Sequence, residues 1–271
     1  MHNATTTTFN RHPRPVAIVT GGLQGLGLAT AKQLDSDGFD IAIIDLHPEN
    51  RLGEEAAQFI ADGRGRHRYY MLDIAELGQH TAVLAQIVND YGRLDCLVNN
   101  AGIAARPLTD LLELTPEAFD RSVAINLRGT FFLTQRAAKL MLAQKAVDAA
   151  DYRAIIFITS IAAGMVSTDR SQYCTTKAAL SMVSKLFAIK LAPHGIHVHE
   201  IRPGFMRTPM TASLGRTAVD EWIESGRVPL SRWGEASDIA RAIGTLARGQ
   251  LPYMTGEALY ISGGVDIPQA T

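Results

Sequence analysis

Cysteine is nearly missing from this sequence: there are two, Cys96 and Cys174, far apart and in no CxxC arrangement. That excludes a disulfide framework and points to a reducing, cytoplasmic setting. Cys96 lies in the apolar run LDCLVNN and reads as a small core residue. An excess of one charge is missing too. Formal net charge is −1 and no basic stripe is present, so neither nucleic acid nor a membrane surface is an expected partner. No run approaches the roughly 20 apolar residues that a membrane span needs. The opening residues, MHNATTTTFNRHPR, lack the apolar stretch of a secretory signal and read as a flexible tail over 1–14.

What the chain does hold is core material. Of its 271 residues 46% are hydrophobic and 20% charged, which suits a single domain over 15–271. Short apolar runs alternate with longer segments of helical spacing. The strand candidates are VAIVT (16–20), DIAIID (40–45), HRYYML (67–72), LDCLVN (centred on 95–99), AIIFITS (154–160), IHVHEIR (196–202) and ALYIS (258–262). GLATAKQLDSDG, AELGQHTAVLAQIVNDYG and TPEAFDRSVAINLRGTFFLTQRAAKLMLAQ lie between them, with apolar residues three and four apart. Most of the strands are almost wholly apolar, as a parallel sheet covered on both faces requires. The pattern predicts an α/β fold: a doubly wound, Rossmann-type parallel sheet of about seven strands with helices on both faces. Two segments break the rhythm. QKAVDAADYR (144–153) reads as a surface loop, and the Met-, Thr- and Ser-rich stretch 205–232 reads as a cover over a site.

VAIVTGGLQGLGLATAKQL passes from strand through a glycine-rich turn into a helix, with Thr20-Gly21-x-x-x-Gly25-x-Gly27 at its centre. Such a turn offers bare N–H groups and a helix dipole to a pyrophosphate, so Gly21, Gln24, Gly25, Leu26 and Gly27 are candidate dinucleotide contacts. An ordinary βα turn would also use glycines. Asp45 ends the second strand about 20 residues on, where a carboxylate accepts both adenosine ribose hydroxyls and repels a 2′-phosphate. Gln24 and Leu46 supply no compensating positive charge, which favours NAD(H) over NADP(H); Arg51 and His47 are the nearby groups that would weigh the other way. The plainer reading of Asp45 is a strand-end turn residue.

In SQYCTTKAAL, Tyr173 and Lys177 stand one helical turn apart. That spacing is common on solvated helix faces. Yet the chain also carries LDI (72–74), NNAG (99–102), Asn126 in AIN, Ser160 in FITS, and RPG (202–204) followed by Thr208. With the glycine turn and YxxxK, this set resembles the short-chain dehydrogenase/reductase family from about residue 14 onward. Within it, PLSRWGEASDIA (229–240) and YMTGEALYISGG (253–264) are similar to the 3-oxoacyl-(acyl-carrier-protein) reductase group.

Residue chemistry fits what the resemblance implies. A free phenol, with pKa near 10, is a poor proton acceptor at neutral pH, and a neighbouring ammonium is expected to lower that value. Tyr173 is thus the candidate acid/base, with Lys177 tuning it. The resemblance also implies that Lys177 holds the nicotinamide ribose, that Ser160 steadies the substrate oxygen, and that Asn126 breaks its helix to hold a water relaying protons to Lys177. Taken singly, Ser160 could be a turn residue and Asn126 a helix irregularity. The family further implies Asp73 and Ile74 at the adenine edge, with Asn100, Ala101 and Gly102 beneath the nicotinamide-side ribose. Pro203, Gly204, Met206 and Thr208 then fall at the carboxamide. Asp73 also reads as a helix N-cap.

His199 and Glu200 stand where relatives usually carry Asn and a small residue. His197 and His199 share a strand face, but no third ligand is evident, so no metal is expected. The apolar stripe of LSMVSKLFAIKL reads as core or subunit interface, and the resemblance implies a homotetramer or homodimer. Ala162, Gly164, Met165, Met206, Met210, Leu214 and Trp222 would suit a moderately apolar alcohol or ketone. The leading expectation is an NAD(H)-dependent oxidoreductase acting on such a small molecule. Its rivals are a 3-oxoacyl-(acyl-carrier-protein) reductase using NADPH and a non-catalytic nucleotide-binding sensor or scaffold.

Overall fold

In the computed structural model, residues 14–144, 152–208 and 217–268 are described. The expected tail before residue 14, most of the expected loop at 144–153, and Met210 and Leu214 of the expected cover lie outside the described residues.

The main sheet strands are β1 (Val16–Thr20), β2 (Asp40–Asp45), β3 (His67–Met71), β4 (Cys96–Asn99), β5 (Arg153–Ile158) and β6 (Ile196–Pro203), with apolar, mostly β-branched runs at the centre of β1, β2 and β5. The short β7 (Met206–Arg207), β8 (Gly234–Glu235) and the edge strand β9 (Ala258–Ile261) complete the set. Between them run α1 (Gly25–Ser36), α2 (Glu54–Asp62), α3 (His80–Tyr91), α4 (Pro116–Ser122), α5 (Thr130–Ala143), α6 (Ser171–Leu191), α7 (Ala218–Glu224) and α8 (Ala236–Ala247). The order β3-β2-β1-β4-β5-β6-β9 makes one seven-stranded sheet, every pairing in it parallel. β7 and β8 pair separately.

Side chains alternate across a strand, so a sheet covered on both faces must be apolar at every position. β1 shows this directly. Val16 and Ile18 pack with Leu84 and Ile87 of α3, Leu133 and Met141 of α5 and Leu180 of α6. Ala17 and Val19 face the other way, with Ala31 and Leu34 of α1 and Ile239 and Ile243 of α8. Each such fully buried Val, Ile or Leu contributes about 1.5–3 kcal/mol of apolar burial. Among the described residues, no helix is long and apolar enough to cross a membrane.

The chain winds outward from β1 to β3, then returns to lay β4 on the other side of β1. The reversal opens a crevice at the carboxyl ends of the strands, where doubly wound sheets keep their ligands. Because all seven strands are parallel, Gly21, Asp45, Asn100, Ser160 and Gly204 all follow or end strands at that one edge.

Candidate active site

The glycine turn is fixed by polar groups of its own and of the neighbouring strand end. Thr20 Oγ1 accepts from the backbone N–H of Asn100 at 3.0 Å and of Ala101 at 2.9 Å. Asn100 Nδ2 returns the contact, donating to the carbonyls of Thr20 at 2.9 Å and Gly21 at 3.0 Å. Gly21 and Gly25 take left-handed φ values of 64° and 54°, which side-chain-bearing residues adopt only with strain. A Cβ on Gly27 would lie 2.0 Å from Gly21 O, so α1 closes onto the turn only without a side chain there. Gln24 is exposed and Leu26 half-buried. No side chain caps the start of α1 and no acidic residue occupies its first turn, which leaves its leading N–H groups to an anion.

Asp45 turns its carboxylate toward this loop. Oδ2 accepts from Leu23 N at 3.4 Å, and Oδ1 accepts from Leu46 N at 2.8 Å and lies 3.0 Å from His47 Nδ1. Leu46 is exposed. The imidazole, not Arg51, is the potential cation beside the carboxylate. Asp73 does not cap α3, whose N-cap is Gln79. Its Oδ1 accepts from Ala75 N at 2.9 Å, closing the turn ahead of that helix. Ile74 is buried, and its carbonyl accepts from His80 Nε2 at 2.8 Å.

Across the crevice, Lys177 and Tyr173 lie together on α6. Lys177 Nζ is 5.6 Å from the Tyr173 ring centroid and gives one of its three N–H donors to Ile158 O at 2.9 Å. Lys177 is buried, and that burial lowers its pKa from 10.5 to about 8, against the opposing pull of Glu200. Burial likewise pushes the Tyr173 phenol above its ordinary value, opposed by a hydrogen bond with the Ser160 side chain and by the Arg170 charge. The expected lowering of the phenol by Lys177 is thus not met in the free protein. Desolvation is the largest influence on the phenol, ahead of the lowering by Ser160 and Arg170. Ser160 Oγ also accepts from Ala162 N at 3.1 Å, starting the turn after β5.

Asn126 lies in a π-helix, Val123–Gly129, set between α4 and α5. Helices widened in this way are frequent at functional sites. Its amide clasps Ile103 on both sides, Nδ2 donating to Ile103 O at 3.0 Å and Oδ1 accepting from Ile103 N at 2.8 Å. Gly102 sits against this group: a Cβ there would be 3.0 Å from Asn126 Oδ1 and 3.9 Å from Lys177 Nζ. On the far side, Pro203 ends β6 and Gly204 N donates to Ile261 O at 3.0 Å. Met206 is buried in β7, and Thr208 lies two residues beyond it.

Sequence reasoning passed over Glu200 as a mere departure from relatives. It is fully buried and accepts hydrogen bonds from Thr159, Ser181 and Arg202. The available signal was a pair of opposite charges two residues apart, in the second half of a strand that also carries His197 and His199. His199 is also fully buried; its Nε2 meets the Tyr152 hydroxyl at 3.0 Å and burial pushes its pKa down to about 4. Among the described residues, no group of three His, Cys, Asp or Glu could hold a metal ion.

A parallel doubly wound sheet, a glycine turn opening its first helix, and a Tyr, Lys and Ser gathered at the carboxyl edge make the frame of a dinucleotide-dependent oxidoreductase. Comparison with known proteins agrees. The family model described as enoyl-(acyl carrier protein) reductase matches residues 21–266. A 3-oxoacyl-(acyl-carrier-protein) reductase of Thermotoga maritima is 31% identical over 254 residues, 93% of this chain and 98% of that protein. A crystal structure of a 3-oxoacyl-(acyl-carrier protein) reductase from Brucella melitensis in complex with NAD is 40% identical, with TM-score 0.89, covering 96% of this chain and all of that one. A short-chain type dehydrogenase/reductase from Mycobacterium marinum is 28% identical, with TM-score 0.82 and 94% and 97% coverage. The chain belongs to the short-chain dehydrogenase/reductase family, enzymes that transfer hydride to and from carbinol and keto carbons with a nicotinamide cofactor.

Proposed function

We propose that this protein interconverts a ketone and its secondary alcohol with NAD(H), using Tyr173 as general acid/base. The observation that carries the reading is the convergence of Tyr173, Lys177 and Ser160 beside the crevice.

The residues present fit a dinucleotide. The uncapped start of α1 and the glycine turn suit a pyrophosphate, and Asp45 suits an unphosphorylated adenosine ribose. From Asp45 on β2 to Ser160 after β5 is three strand steps, about 14 Å, a span an extended dinucleotide can bridge. When bound, the cofactor supplies or accepts the hydride. Gly21, Gln24, Gly25, Leu26 and Gly27 would meet the pyrophosphate, and Asp45 and Leu46 the adenosine ribose. Asp73 and Ile74 would border the adenine, while Asn100, Ala101 and Gly102 form the floor. Pro203, Gly204, Met206 and Thr208 would meet the carboxamide. The two N–H donors that Lys177 does not give to Ile158 suit the nicotinamide ribose hydroxyls.

In ketone reduction Ser160 hydrogen-bonds the carbonyl oxygen and Tyr173 gives it a proton as negative charge develops. The raised phenol keeps that proton in place at neutral pH. Lys177 stabilises the phenolate left behind, and Asn126 shapes the path by which solvent restores the proton. The non-catalytic sensor reading has no use for the phenol and is set aside with family membership.

A second reading, a 3-oxoacyl thioester on a carrier protein as the ketone, is favoured by the names of the relatives. Its usual NADPH is opposed by Asp45, though the Brucella melitensis relative was crystallised with NAD. Subunit pairing into a homodimer or homotetramer is supported by Met182, Leu186 and Ile189, exposed at three- and four-residue spacing on the outer face of α6. A cytoplasmic location accords with the sparse, unpaired cysteines.

The test is a panel of ketones, secondary alcohols and acetoacetyl-coenzyme A, followed at the NADH absorbance with both cofactors. Turnover of simple ketones with NADH supports the first reading. Turnover of the thioester alone supports the second, and silence across the panel overturns both.

A further inference from the structure

β6 runs between β5 and β9, yet it carries Glu200 with no exposed surface. A buried carboxylate persists only where hydrogen bonds and counter-charges replace its water. Its partners come from three directions. Thr159 Oγ1 donates to Oε1 at 2.6 Å, Ser181 Oγ donates to Oε2 at 2.9 Å, and Arg202 Nε donates to Oε1 at 2.7 Å. Arg202 Nη2 also donates to Ser181 Oγ at 2.6 Å, and Nη1 donates to the Tyr260 hydroxyl.

Each partner adjoins the proposed chemistry. Thr159 stands between Ile158, whose carbonyl receives the Lys177 Nζ, and Ser160. Ser181 lies one turn along α6 from Lys177. Arg202 reaches beneath the turn after Ser160, where Nη1 would be 3.9 Å from a Cβ on Gly164. We propose that Glu200 is a positioning residue: its carboxylate ties the end of β5 to α6 and sets a fixed negative charge behind the Lys177 ammonium. The inference rests on the reading of Lys177 as the group that holds the cofactor ribose. Glu200 acts to keep Lys177 protonated against desolvation. The titratable and charged groups around this pair are Tyr173 on α6, Arg202 on the same strand as Glu200, Tyr260 on β9, and Arg170 at the head of α6.

An apolar residue in place of one partner would strand the other charge in the interior, so the decisive variant removes both. Glu200→Gln/Arg202→Met keeps the volume, with the amide oxygen accepting from Thr159 and the amide NH2 donating to Ser181 Oγ, and such paired replacements commonly fold as well as the parent. NADH binding is titrated by NADH fluorescence between about pH 6 and pH 10 in wild type, this double variant, Glu200→Gln and Lys177→Met. Circular dichroism verifies folding. The wild type is expected to lose affinity in a step as Lys177 gives up its proton, and Lys177→Met to lack that step. In the double variant the step moves to lower pH by about half a unit or more. A step at the wild-type pH in the double variant overturns the role of Glu200 while leaving the site reading intact. Should Lys177→Met keep the wild-type step, the reading of Lys177 falls, and the inference with it.

Discussion

Lys177 Nζ lies 5.6 Å from the centre of the Tyr173 ring while donating to Ile158 O at 2.9 Å. The ammonium is thus anchored on the strand end that leads to Ser160, with the phenol beside it. Burial drives both side chains toward their neutral forms, Tyr173 upward and Lys177 down to about 8. The free protein therefore holds a phenol ready to give a proton, which suits ketone reduction, and an ammonium whose charge survives near neutrality.

Tyr173→Phe removes the transferable proton and little volume. Turnover is expected to fall by about 10²–10⁴-fold or more, the usual worth of a positioned acid/base. NADH affinity, read by fluorescence titration, should stay within a few-fold of wild type because Lys177 and the glycine turn are untouched. Residual turnover near the wild-type rate would assign the proton to another group.

Lys177 makes a signed statement about stability. Its native pKa of about 8 lies below the unfolded 10.5, so the native state disfavours the charged form. The penalty is fully present below about pH 8 and is relieved as pH rises from there through 10.5, by up to about 3 kcal/mol. Urea unfolding of wild type and Lys177→Met at about pH 7 and pH 10 isolates this contribution. Wild type should gain on the variant at the higher pH. A gap that does not change with pH would show that the ammonium is not strained by burial.

Asp45 is expected to choose the cofactor. Its carboxylate faces the glycine turn through Leu23 N and would meet a 2′-phosphate with like charge, a clash of several kcal/mol. Asp45→Ser should raise the NADPH-to-NADH ratio of kcat/KM by at least about tenfold. An unchanged preference in Asp45→Ser removes the residue from the selector role.

Much of the frame was legible because its signals are local. VAIVT and DIAIID are uninterrupted apolar runs closed by turn-forming residues, and β1 and β2 fall at the expected residues. The fifth strand, expected over 154–160, ends at Ile158, and Ser160 opens the turn that follows. The irregularity at Asn126 was visible in a poor helix former amid helical spacing, and it takes the form of a π-helix. What could not be read were consequences of packing. Glu200 meets Thr159 and Ser181 from separate elements, and neighbours in sequence carry no trace of that meeting. The Tyr173 pKa goes up because the fold buries it, which the YxxxK spacing alone does not reveal. Asp73 reads as a helix cap because Asp favours that position, but α3 begins at His80 with Gln79, six residues after Asp73, as its N-cap.

His199 supplies the acid side of the stability profile. It is wholly buried beside His197, with Nε2 on the Tyr152 hydroxyl, and desolvation and then the His197 neighbour lower its pKa from 6.5 to about 4. The native state therefore holds it neutral, while the unfolded chain takes up a proton below 6.5. The contribution is fully present above that value and is lost as pH falls toward about 4, amounting to about 2 kcal/mol by pH 5. His199→Asn cannot titrate. It should start from lower stability at about pH 7, having lost ring packing, yet lose roughly 2 kcal/mol less than wild type on acidification to pH 5. Parallel acid profiles from the two proteins would mean that His199 is protonated within the native fold, and that water reaches a position the sheet is built to seal.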